Sequence, residues 1–149
     1  MFSSFSLSII HSLTGILLEP VIWSLVFLIF LAVYESAIAL GERFGGLAKL
    51  VSKQNASQLL ALGKRRIERA DFITRLSPVL GLMGTLIPLG PGLAALGEGE
   101  LQVLTTAITI AFDTTVIGLL AGLVGFVLGR LRRRWYDEAL TIIQEKGNG

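Results

Sequence analysis

The chain is predicted to be an all-α integral membrane protein with three transmembrane helices. Composition gives the first reason: 149 residues are 52% hydrophobic and only 16% charged, with a mean hydropathy of +0.71, where a soluble domain is about 25% charged. The second reason is where the cations lie. All thirteen Lys and Arg residues fall in two blocks, Arg43 to Arg75 and Arg130 to Lys146, and residues 1–42 and 76–129 contain none. A soluble domain scatters its cations, whereas a membrane protein holds them in the loops that stay cytoplasmic. The third reason is length, since each cation-free stretch can supply about 20 residues for the ~30 Å hydrocarbon core.

Residues 1–19 mix Phe, Leu and Ile with Ser. Phe2, Phe5, Ile9, Leu13 and Ile16 recur near helical spacing, which predicts an amphipathic N-terminal helix at the membrane surface. The segment lacks the positive start of a signal peptide and is read as part of the mature protein. Pro20 is expected to open a new helix, where proline suits the first turn. Residues 20–40 form the first span, with Trp23 and Tyr34 as interfacial aromatics. Glu35 is its one charge, close enough to the basic block for its carboxylate to reach the headgroups.

Residues 41–76 carry eight bases and three acids and form a cytoplasmic helical segment. Gly45-Gly46 predicts a break. From Ala56 to Leu76, apolar positions set among charges predict an amphipathic helix leading into the next span. Residues 77–96 form the second span, rich in glycine. Pro78 suits its start, while Pro88 and Pro91 are expected to kink or unwind its outer end. Residues 97–100 (Gly-Glu-Gly-Glu) form an outside loop. Residues 101–129 form the third span, about 44 Å of helix and longer than the core requires. It ends at Arg130 and the Arg132-Arg133-Arg134 cluster, and the helix is expected to continue towards Lys146. Charge alone then sets the orientation: amino terminus outside, residues 41–76 and the carboxyl terminus cytoplasmic.

Several chemistries are excluded. There is no cysteine, so no disulfide or thiolate site. No phosphate loop, zinc-ligand spacing or Ser/His/Asp set occurs, and the single histidine, His11, is incidental. The chain is read as not an enzyme, with no catalytic residue, metal or cofactor, and its basic blocks as membrane anchors, with lipid and not nucleic acid as partner.

The third span has a polar stripe. Thr105, Thr109 and Asp113 are four apart and share a face. An ionisable group in mid-span costs at least ~2.5 kcal/mol on insertion scales, so it should face helices or water. The stripe is read as a path for a proton or small cation; threonines alone would read as interhelical hydrogen bonding. Gly81 and Thr85 in the second span, and Gly118 and Gly122 in the third, are spaced four apart. Together with Gly84 they are read as helix-packing positions. A molecule with three spans and many such faces is expected to be a homo-oligomer.

Two segments carry a resemblance. Ser77-Pro78-Val79-Leu80-Gly81-Leu82-Met83-Gly84-Thr85-Leu86 is similar to the "APxLGLLGTV" segment of the MotA/TolQ/ExbB proton channel family. Ala111-Phe112-Asp113-Thr114-Thr115-Val116-Ile117-Gly118-Leu119 is similar to its "ALxTTxxGL" segment. The resemblance covers roughly residues 70–136, so residues 77–149 are read as the channel-like region. It implies a ring-forming pentamer around a single-span partner of the ExbD/TolR/MotB kind. It also implies a subunit of an ion-driven motor that couples proton or sodium flow to work on the cell envelope. Thr85 and Thr115 match the two pore-lining threonines. The chain departs from the pattern at Ile110, where one branch has glutamate, in the Pro88-Leu89-Gly90-Pro91 sequence, and in its short cytoplasmic insertion. The ion pathway is thus expected to include Thr85, Thr109, Asp113 and Thr115. A non-conducting helical membrane scaffold is the second reading, and a water-soluble helical domain the third.

Overall fold

The computed structural model describes the backbone of residues 2–46 and 56–149 and the side chains of 4–45 and 57–149. Part of the expected cytoplasmic segment 41–76, with Lys49 and Lys53, lies outside the described residues. Three long helices make up the described chain: α1 (Phe2–Gly41), α2 (Ala56–Gly97) and α3 (Leu101–Gly147). All three are long and apolar enough to cross a membrane.

Helix α1 has 40 residues and contains Pro20. The expected boundary between a surface helix and the first span is therefore absent, and one helix runs through both. Proline's φ is already close to helical, and its missing N–H removes a single bond. Val21, Leu25, Leu28, Ala32, Glu35 and Ala39 are buried at successive turns, and the packing of this stripe outweighs that loss. A wide turn, Glu42–Gly46, ends the helix, with Gly45 at φ 157° and ψ −8°. The predicted break is here.

Helix α2 runs 42 residues through Pro78, Pro88 and Pro91. Pro78 does not start a helix, and neither Pro88 nor Pro91 unwinds one. Gly81, Gly84, Pro88 and Gly92 form its buried edge, so contact with α3 keeps the outer half helical against the loss of one backbone bond per proline. The α2–α3 turn closes on Gly99, whose φ of 84° favours glycine. The N–H of Gly99 donates to Leu96 O at 3.0 Å and that of Glu100 to Ala95 O at 2.9 Å, satisfying the last carbonyls of α2. Helix α3 then runs 47 residues without interruption, about 70 Å.

The chain forms two units: Met1–Ile29 with Leu76–Leu120, and Phe30–Arg75 with Ala121–Gly149. In the first, α2 and α3 meet through glycines and alanines, with Val21, Leu25 and Leu28 as the buried stripe of α1. In the second, Ala39, Ala70 and Leu128 form one cluster, and Leu59, Tyr136 and Ala139 another. Within the most apolar window of each helix only 22%, 28% and 33% of residues are buried, so most of that surface is left for lipid or other chains.

Candidate functional site

In the first unit the two motif segments lie on facing helices. A Cβ on Gly118 would meet Ser77 O at 2.6 Å and Gly81 Cα at 2.7 Å. One on Gly84 would meet Thr114 Oγ1 at 2.6 Å, and one on Gly92 would meet Ala107 Cβ at 2.8 Å. The backbones therefore touch at Gly81 and Gly118, while the Thr114 and Ala107 side chains take the space that Gly84 and Gly92 leave. Gly122 is also buried, in the second unit. Thr114 is buried in the α2–α3 contact, and its hydroxyl donates to Ile110 O at 2.9 Å and Ala111 O at 3.1 Å.

Thr85 and Thr115 flank this crossing and are half-buried. The Thr115 Cα lies 3.6 Å from where a Gly81 Cβ would be, and Thr85 follows Gly81 by one turn. Thr85 Oγ1 donates to Leu82 O at 2.5 Å, and Thr115 Oγ1 to Ala111 O at 3.0 Å. Thr109 Oγ1 likewise donates to Thr105 O at 2.9 Å. Each hydroxyl proton is committed to its own helix, which leaves oxygen lone pairs to face outward. Such an edge accepts hydrogen bonds from water, hydronium or a protonated carboxyl, and suits a small cation.

The four expected pathway residues do not share one face. At 100° per residue, Asp113 points about 160° away from Thr115 around α3. Thr109 and Asp113 are exposed, and Asp113 has no partner within the described chain. The structure thus gives α3 two polar edges: Thr115, beside Thr85, and the Thr109–Asp113 stripe. No cluster of three or more metal-binding side chains occurs among the described residues.

The second unit holds a polar centre absent from the sequence-based reading. Glu35 does not reach for headgroups; it is fully buried, as is Arg132. Arg132 Nη1 donates to Glu35 Oε2 at 2.5 Å and to Arg66 O at 3.3 Å, and Nη2 donates to Glu35 O at 3.0 Å. Arg69 adds an ion pair to Glu35 at 3.5 Å. Glu42 pairs with Arg66, lies 3.7 Å from Arg132 Nε, and accepts from the Tyr136 hydroxyl at 3.4 Å. One guanidinium thus ties α1, α2 and α3 together. A signal was available: Glu35 and Glu42 are seven residues apart on the same helical face as Leu28, Ala32 and Ala39, so that face turns inward with its acids.

A model of the MotA/TolQ/ExbB proton channel family matches residues 47–145 of this chain. No curated protein and no solved structure matches it.

Proposed function

Because the chain belongs to the MotA/TolQ/ExbB proton channel family, a family of membrane subunits of the proton-channel type, we propose that it forms the ion conduit of a motor complex. In this reading several copies, five by analogy with the family, ring a single-span partner in the cell membrane. Proton or sodium flow between ring and partner does work on the cell envelope. The two cationic blocks, within residues 43–75 and 130–146, lie on the cytoplasmic side, where insertion leaves them.

The observation that carries this reading is the Thr85/Thr115 edge. It borders the α2–α3 contact at Gly81 and Gly118, lies in spans without Lys or Arg, and presents acceptor oxygens. A partner carboxyl passing that edge would exchange hydrogen bonds with it in each protonation state. Thr115→Val keeps the shape and removes the oxygen. It should lower gradient-driven ion uptake into vesicles holding the ring and its partner by about tenfold, equivalent to one lost hydrogen bond to a charged group, while native gels still show the full assembly. A scaffold would instead lose assembly, or lose nothing; either result removes the conduit reading.

A further inference from the structure

Two features of the first unit have no counterpart within the described chain. One is the Thr109–Asp113 edge of α3: a carboxylate and a threonine, both exposed in a span. Hydrocarbon does not tolerate that, so protein or water must cover it. The other is on α2. Pro91 has no N–H, so the Ile87 carbonyl one turn earlier has no helical donor. Gly90 and Pro91 beside it are exposed, and a Cβ on Gly90 would meet nothing within 4 Å. Ile87 is half-buried, and a carbonyl that has lost its donor in a span must be satisfied by protein or water, because leaving it to lipid costs several kcal/mol.

These two features match in height and lie on opposite flanks. Gly84 faces Thr114 and Gly92 faces Ala107, which places Thr109 level with Leu89 and Gly90, beside the Ile87 carbonyl. Asp113 lies one turn further towards the cytoplasmic end of α3. Gly90 points about 140° from Thr85 around α2, and Asp113 about 160° from Thr115 around α3. If the Thr85/Thr115 edge faces the ion path, the other two edges face sideways. A ring about the membrane normal keeps equivalent residues at equal height, so each chain brings its donor edge to its neighbour's acceptor.

We propose that the Thr109–Asp113 edge of α3 docks on the Gly90–Pro91 segment of α2 in a second copy of this chain. The Thr109 hydroxyl turns from Thr105 O to the neighbour's Ile87 carbonyl, and Asp113 is enclosed in the same seam, away from lipid. The contact is head-to-tail, the kind that closes rings. This inference rests on the conduit reading, which fixes the direction of the Thr85/Thr115 edge.

Cysteine cross-linking tests it without background, because the chain has no cysteine. The Thr109→Cys/Gly90→Cys double variant, oxidised in its native membrane, should give a ladder of linked subunits, and each single variant should stay unlinked. A ladder absent from the double variant, or dimers from Thr109→Cys alone, overturns the seam. Treating the Thr115→Cys variant with a water-soluble thiosulfonate tests the direction separately. Labelling at position 115 with no ladder sinks the seam alone, whereas no labelling at position 115 sinks the conduit reading. As a second measurement independent of cysteines, Thr109→Val should weaken subunit association about threefold per contact, the fold-change for a typical interhelical bond in lipid. In a Pro91→Ala background, where the Ile87 carbonyl regains its helical donor, it should have no effect. Equal weakening in both backgrounds overturns the hydrogen bond.

Discussion

Replacing Arg132 by methionine would test whether the buried ion-pair centre holds the three helices together. Arg132 is fully buried and serves Glu35 Oε2, the Glu35 carbonyl and the Arg66 carbonyl, with Glu42 at 3.7 Å from its Nε. In Arg132→Met the Glu35 carboxylate stays buried with one partner, Arg69, at 3.5 Å. That partner is 57% exposed and poorly placed to compensate. Stranding one member of a buried pair costs about 3–5 kcal/mol, which lowers the folded-to-unfolded ratio roughly a hundred- to several-thousand-fold. Removing both members behaves differently: Arg132→Met with Glu35→Met exchanges the pair for apolar volume, a change that is neutral or stabilising by about 1–4 kcal/mol against the intact pair, so it should recover the whole of the loss. Arg132→Lys keeps the charge but loses the fork that reaches two acceptors on Glu35, and should fall between wild type and Arg132→Met. Arg133→Met is the control. Its pair with Asp71 at 2.6 Å is 58% and 38% exposed, and an exposed pair contributes about 0–1 kcal/mol. Helix content by circular dichroism in micelles of rising dodecyl sulfate fraction gives the midpoints. Equal losses for Arg132→Met and Arg133→Met, or a double variant no better than the single, would refute the reasoning.

Packing sets the remaining outcomes. Gly118→Ala should destabilise by about 1–3 kcal/mol, because its Cβ would press on Ser77 O and Gly81 Cα, both backbone atoms that cannot swing aside. Gly15→Ala, with nothing within 4 Å, should stabilise α1 by about 0.5–1 kcal/mol; the same micelle titration separates the two. Ser77 is fully buried and its Oγ has no hydrogen-bond partner among the described residues, so Ser77→Ala should raise stability by about 1 kcal/mol, read as a later unfolding midpoint.

The three spans, the Gly45 break and the turn at residues 97–100 were legible in the chain because each depends on local chemistry. Transfer of apolar residues into lipid sums along the sequence, cations stay where insertion leaves them, and glycine permits backbone angles that other residues resist. The two motif segments were also legible, as short patterns that stand without knowledge of what they touch. Proline misled in the opposite way. Pro20, Pro78, Pro88 and Pro91 are helix punctuation by local rules, yet all four lie inside helices, because contacts between helices outweigh one missing backbone bond.

Rotation and register had no such local source. Glu35 and Arg132 are 97 residues apart in sequence, and nothing near either shows that they share a height in the membrane. The closest approach of Gly81 and Gly118 sets how α2 and α3 turn towards each other. That rotation puts Thr85 and Thr115 at one crossing and leaves Thr109 and Asp113 on another flank. Which residues are polar within the bilayer could be read from the order of amino acids. Which of them meet came from packing between helices, a balance of contacts summed over the whole molecule.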